Sequence, residues 1–282
     1  MKLEYINSTG LMAVIGDPIA HSLSPLLHNT LLQTLEKNIV YLARHIRLED
    51  LSRWCDAART ADFIAFNATM PHKLDLVHLV DELTDDARFY GAVNSVRNDN
   101  GRLIGHNTDG PGFARALQDL GGSFAGRKVV IIGAGGAASS IALRAVQDGA
   151  AAVQVRNRTA AKAQALCSRF PAIMYPAALD APFPTDADLV VSALALDGAL
   201  QLDLSFVEHL QPGCIVCDTL YAPPSTPLLE AARARGLQAD NGLSMLIYQA
   251  IYAEEFYLQQ ELDVAGLGRL LHERADRYAK YV

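Results

Sequence analysis

The sequence predicts a two-domain α/β protein, with an N-terminal α/β unit followed by a doubly wound parallel sheet and C-terminal helices that return to the first unit. Three observations carry that expectation. Short apolar runs rich in Val, Ile and Ala alternate with longer runs of helical spacing, the pattern of strands joined by helical crossovers. A glycine-rich stretch, Gly133-Ala134-Gly135-Gly136-Ala137-Ala138, stands between one such apolar run and a helical one. From Leu243 onward the pattern is helical without strand signals. A chain of 282 residues has room for two cores. The expected boundaries are 1–110 with 243–282 for one domain and 111–242 for the other.

The first unit opens with a strand over Leu11 to Gly16. Ser24-Pro25 then starts a helix, with serine as cap and proline at a position where a missing N–H costs nothing. A strand over Asn38 to Ile46, a helix over Leu48 to Arg59 and a strand over Phe63 to Asn67 follow. Pro71 to Val80 reads as a further helix, with Thr69 as a candidate cap. Ala92 to Arg97 and Arg102 to His106 flank Asn98-Asp99-Asn100-Gly101, a strong hairpin signal because Asn-Gly tolerates positive φ.

The second unit begins with a helix over Pro111 to Leu120, for which Asp109 is a candidate cap. Arg127 to Ile132 is a strand, and Gly135 to Gln147 a helix closed by Gly149. Next come a strand over Ala152 to Arg156 and a helix over Ala160 to Phe170 capped by Thr159. Asp188 to Ala193 and Gly213 to Asp218 read as buried strands. A helix over Pro227 to Arg235 has Thr226 as cap and Gly236 as stop.

Composition narrows the function. Half the residues are hydrophobic and a fifth charged, as in a soluble globular protein. A net charge of −7 argues against broad binding to nucleic acid or anionic membrane. No apolar run approaches the roughly 18 residues of a spanning helix, and no signal peptide is evident, so cytoplasmic residence is expected. The pair Cys214 and Cys217 lies on a predicted strand, where residues three apart face opposite ways, so packing is the better reading than metal or disulfide. The eight histidines show no metal-ligand spacing.

Two segments carry chemistry. Gly133 to Ala138 satisfies G-x-G-x-x-G/A between strand and helix, where small residues let the backbone approach a pyrophosphate and the helix N-terminus receives it. Gly133, Ala134, Gly135, Gly136 and Ala137 are therefore cofactor candidates in a Rossmann-type dinucleotide-binding domain. An NAD site keeps an acid about 20 residues on; this chain has Asn157, Arg158 and Thr159 there, then Lys162. That pocket attracts a 2′-phosphate, so NADP is favoured over NAD. The other segment is Asn67-Ala68-Thr69-Met70-Pro71-His72-Lys73. It sets Lys73 one turn into the expected helix, where the macrodipole disfavours a positive charge, a setting suited to a general acid/base.

These two segments, with Gly16 to Pro25, Gly91 to Ser95, Gly105 to Gly110 and Gly242 to Ala250, closely resemble the shikimate dehydrogenase family in order along the chain. The resemblance implies NADP-dependent reduction of 3-dehydroshikimate to shikimate in aromatic amino-acid synthesis; the alternatives are a quinate/shikimate dehydrogenase or specialised paralogue using NAD, and a ligand-binding homologue without turnover, against which the presence of both Lys73 and Asp109 argues. It implies Lys73 and Asp109 as the catalytic pair and Ser22 and Ser24 on the substrate carboxylate. Asn67, Thr69, Asn94 and Gln249 would hold its hydroxyls, with Tyr221 helping to position it and Gly242 and Met245 at the cofactor. The implied partners are a small-molecule substrate, without nucleic acid or membrane, in a monomer or homodimer. The chain departs from the family at Ser95 (usually threonine), Ala222 (often asparagine), Leu194 (within an Asn-Ala-Thr run in relatives) and Lys162 (often arginine).

Overall fold

The computed structural model describes residues 8–278 apart from 197, 198 and 200. It divides into two compact units: the described residues up to Gly112 together with those from Leu246, and Phe113–Met245.

The first unit is a six-stranded mixed sheet. Its strands are β1 (Gly10–Gly16), β2 (Ile39–His45), β3 (Phe63–Ala68), β4 (Glu82–Leu83), β5 (Ser95–Asp99) and β6 (Arg102–His106), in the order β2-β1-β3-β5-β6-β4. β1 runs parallel to β2 and β3, whereas β5 is antiparallel to both β3 and β6. β1 is apolar on both sides because both its faces are covered. Ala13 and Ile15 join Leu51, Trp54 and Phe66 on one side. Met12 and Val14 join Leu32, Tyr41, Ala253 and Tyr257 on the other. The second group packs the helix Leu243–Leu258 on the first unit, to which the last helix, Val264–Tyr278, also belongs, as the sequence pattern implied.

Between β5 and β6 the register pairs Asp99 with Arg102, leaving Asn100 and Gly101 as a two-residue turn with φ of 53 and 89. Both central residues have positive φ, which is why Asn-Gly marks this hairpin.

Several local expectations are corrected. Pro71 to Val80 is not an α-helix: it is a turn following a cis Met70–Pro71 peptide and then a 3₁₀ helix, Asp75–His78. The Lys73 carbonyl accepts a hydrogen bond from the Val93 amide at 2.8 Å, so it serves a neighbouring segment rather than a helical ladder. Thr69 therefore has no helix to cap. The helix after β1 spans Ser24–Thr34 with Leu23 at the cap position and no side-chain capping bond, so Ser24 is its first residue rather than its cap; Ser22 Oγ accepts from the Ser24 amide at 3.2 Å. The helix Asp85–Tyr90, capped by Thr84 and ended by Gly91, was missed because six residues are too few to show helical periodicity.

The second unit is an all-parallel sheet of β7 (Lys128–Ile132), β8 (Ala152–Asn157), β9 (Met174–Ala178), β10 (Leu189–Ser192), β11 (Ile215–Asp218) and β12 (Gln238–Asp240). Its order, β12-β11-β10-β7-β8-β9, is doubly wound and reverses between β7 and β10. The edge strands β9 and β12 were not foreseen. β9 carries Pro176 and is mostly exposed, both of which suit an edge but mute the strand signal. Cys214 and Cys217 are buried thiols, and burial pushes Cys214 up to about 12. Thr159 and Thr226 stand at helix caps without a side-chain capping bond; the Thr226 hydroxyl donates instead to Asp218 at 2.9 Å. Among the described residues no helix is long and apolar enough to cross a membrane.

Candidate active site

Strand register gathers the polar residues of the first unit. Asn67 lies opposite Ser95, and Ser95 opposite His106, so three strand ends meet with the residues that follow β6. There Lys73 Nζ donates to Asp109 Oδ2 at 2.6 Å. The Asp109 side chain is 4% exposed and that of Lys73 16%, so the amine retains access while its partner is enclosed. The helix Asp109–Asp119 begins at Asp109 itself, and Asn107 Oδ1 accepts from the Asp109 amide at 3.0 Å. The expected side-chain cap is therefore Asn107, which leaves the Asp109 carboxylate for Lys73.

Asn94 is the hub of the cluster. Its Nδ2 donates to Asp109 Oδ1 at 2.9 Å and Thr108 Oγ1 at 3.0 Å, with Gln249 Oε1 at 3.4 Å. Its Oδ1 accepts from the Thr108 amide and the Ser95 hydroxyl, each at 2.9 Å. Asn67 Nδ2 donates to the Asn94 carbonyl and to Ser95 Oγ, both at 3.1 Å. Gln249 reaches this group from the C-terminal helix, where its backbone packs on Gly112; a Cβ added there would lie 2.8 Å from the Gln249 nitrogen. A carboxylate and amine locked among oriented amides can hold a hydroxylated ligand and exchange a proton with it.

Among the other sequence candidates, Ser22 is half-buried and Ser24 buried at the start of their helix. Thr69 is anchored by its amide to the Ile15 carbonyl, next to Gly16 at the end of β1. Tyr221 belongs to the second unit, in the segment after β11. Thr108, Asn107, Ser95 and Tyr41 were missed as contributors, although the first three adjoin residues singled out from sequence. Thr108 and Asn107 are fully buried polar residues beside Asp109, and only burial reveals them. His72 adjoins Lys73 in sequence, and His106 lies opposite Ser95 in the sheet. His72 Nε2 donates to the Ile46 carbonyl at 2.8 Å, and His106 Nδ1 meets the Thr84 hydroxyl at 2.8 Å. Burial pushes both imidazoles below their ordinary pKa.

In the second unit the glycine-rich loop leads from β7 into the helix Gly136–Gln147. Gly133 has φ 125, and a Cβ there would lie 2.7 Å from the Ala193 carbonyl oxygen, so only glycine fits. A Cβ on Gly135, by contrast, would meet nothing within 4 Å. The loop thus leaves free space at a helix N-terminus, with Ala134, Gly136 and Ala137 beside it, as a pyrophosphate requires. Past β8, Arg158 and Lys162 are exposed, whereas Arg156 is buried and bonded to Gln154 and to the Leu179, Ala181 and Pro182 carbonyls. Asn157 Nδ2 donates to the Thr159 carbonyl, which shapes the turn presenting Arg158. These residues fit a 2′-phosphorylated dinucleotide. Gly242 is pressed against Thr219, where no side chain could fit, and Met245 is buried.

Comparison with known proteins agrees across both units. The family described as "Shikimate dehydrogenase substrate binding domain" matches residues 14–96, and "Shikimate / quinate 5-dehydrogenase" matches residues 115–201. A curated shikimate dehydrogenase (NADP(+)) of Alkaliphilus metalliredigens is 35% identical, over 96% of this chain and 99% of its own. The crystal structure of the Thermus thermophilus shikimate 5-dehydrogenase with NADP(H) and shikimate is 32% identical, with a TM-score of 0.83 over 94% of this chain and 99% of that one. The Listeria monocytogenes shikimate 5-dehydrogenase, in complex with shikimate and NAD, is also 32% identical, with a TM-score of 0.82 over 94% and 97%.

Proposed function

Because this chain belongs to the shikimate dehydrogenase family, we propose that it is an NADP-dependent oxidoreductase interconverting 3-dehydroshikimate and shikimate in aromatic amino-acid synthesis. The observation that carries the chemistry is the 2.6 Å Lys73–Asp109 pair set among Asn67, Asn94, Thr108 and Gln249. The first unit takes the substrate, and the second, with its open glycine loop, takes the dinucleotide.

NADP supplies a hydride donor and acceptor when bound. Its pyrophosphate is received by Gly133, Ala134, Gly135, Gly136 and Ala137, and its 2′-phosphate by Asn157, Arg158, Thr159 and Lys162; Gly242 and Met245 complete the cofactor side. The protein's own task is the proton. Reduction of a ketone requires a proton at the carbonyl oxygen, and oxidation of the alcohol requires its removal. Lys73 Nζ performs that transfer, while Asp109 orients the amine and balances its charge. Ser22 and Ser24 take the substrate carboxylate, Asn67, Thr69, Asn94 and Gln249 its hydroxyls, and Tyr221 the remaining positioning contact. Lys73 lies in a turn rather than at a helix start, so the helix dipole does not act on it; the contact with Asp109 fixes where its amine sits.

Steady-state rates with shikimate and quinate, each with NADP and NAD, test the reading. Shikimate with NADP should have the highest kcat/KM. A second reading, with quinate accepted or NAD used, is favoured by the quinate in the matched family description and by the NAD in the Listeria complex. A tenfold or greater preference for NAD would overturn the role given to Arg158.

A further inference from the structure

The Asn67 side chain is nearly saturated by the protein itself. Both its Nδ2 hydrogens are engaged, by the Asn94 carbonyl and Ser95 Oγ. Its Oδ1 accepts from the Tyr41 hydroxyl at 2.7 Å. One acceptor position on Oδ1 is left for a ligand. Tyr41 is fully buried and held from three directions. Asn29 clamps its backbone, accepting from the Tyr41 amide at 2.9 Å and donating to its carbonyl at 2.8 Å. The His28 ring stacks on it with centroids 4.1 Å apart and planes 3° off parallel. His28 Nδ1 in turn meets Glu254 Oε1 at 2.7 Å, and both side chains are fully enclosed.

Building on the role given above to Asn67, we propose that Tyr41 is a positioning residue for it. The Tyr41 hydroxyl holds the Asn67 oxygen in place once the acceptor-only Asn94 carbonyl has fixed which end of the amide is nitrogen, and Glu254, acting through His28, keeps the Tyr41 ring in position. A primary amide is almost symmetric in shape, so only its hydrogen-bond partners distinguish oxygen from nitrogen. With Tyr41 as donor, Oδ1 is held with one acceptor position left, and that position would meet a substrate hydroxyl. Burial holds the Tyr41 phenol well above its ordinary pKa, so it stays a donor at any working pH. The arrangement links Glu254 to the substrate contact at Asn67 through His28, which lies 226 positions from Glu254 in sequence.

The test is Tyr41→Phe in the full-length protein, which deletes one hydroxyl and keeps the stacked ring. The KM for shikimate should rise about fivefold or more, in line with loss of one orienting hydrogen bond, while the KM for NADP stays within twofold. Glu254→Leu should give the same split at smaller size, and it serves if the phenylalanine variant does not fold. The Asn67 side-chain amide signals in a ¹⁵N–¹H spectrum, assigned with Asn67→Asp, provide a readout independent of turnover. They should shift or broaden in Tyr41→Phe. Unchanged amide signals, or equal rises in both KM values alongside a lowered Tm, overturn the proposal. If the unaltered protein does not turn over shikimate, the functional reading fails, and the amide signals still decide the positioning role.

Discussion

Lys73 and Asp109 are 36 residues apart in sequence and in contact in the fold. Lys73→Ala removes the group proposed to handle the proton, and turnover should fall about 10²- to 10⁴-fold. Calorimetric titration of NADP should be nearly unchanged in that variant, because the dinucleotide loop lies in the other unit. Asn94→Ala should act differently. It strips partners from the Asp109 carboxylate, the Thr108 amide and the Ser95 hydroxyl together. Leaving buried polar groups unsatisfied costs about 1–3 kcal/mol each, so a fall in urea-unfolding stability should accompany the lost activity. A loss of turnover with full stability would show that Asn94 contacts only the ligand.

The glycine loop and the hairpin were legible from sequence because their chemistry is local: a strand, a turn with required small residues, then a helix or second strand. Gly135→Val tests the loop without confusion. The position has φ −88 and free space around a Cβ, so the fold should tolerate the side chain. The KM for NADP should nevertheless rise about tenfold or more, since the valine would occupy the place of the pyrophosphate. An unchanged KM would remove the loop from the cofactor site. In the hairpin, Gly101→Ala forces a Cβ onto φ 89 and should cost about 1 kcal/mol, read as a lower Tm. The turn carrying Lys73 was not legible. Its Pro71 reads as a helix start, but the Lys73 carbonyl is engaged by Val93, twenty positions away.

For the molecule as a whole, His72 and His106 of the first unit, whose surroundings disfavour the charged imidazole, make its stability respond to acid. Burial, the largest cause, lowers the pKa of His72 and of His106. Unfolding returns each to the ordinary value near 6.5, so the unfolded chain binds more protons below neutrality. The stabilisation is therefore complete above about pH 6.5 and is lost as pH falls through the lower, folded values. Urea midpoints should drop as pH is taken from 7 toward 5, ahead of carboxylate protonation. Replacing His72 and His106 together by Asn should flatten that slope, and a slope equal to that of the unaltered protein would exclude them as its source.

Sequence alone determined the alternation of elements, the doubly wound second unit, the Asn-Gly hairpin and the glycine-rich turn between strand and helix. Each of these rests on periodicity or on backbone conformations that a few adjacent residues impose. Tertiary structure decided which polar groups are enclosed and whom they face. It made Asn107 rather than Asp109 the cap, and it turned the Lys73 segment away from a helix. It also joined Tyr41 to Asn67 and Glu254 to His28. Those pairings arise because a buried hydrogen-bonding group must find a partner wherever the fold brings one, however far along the chain that partner lies.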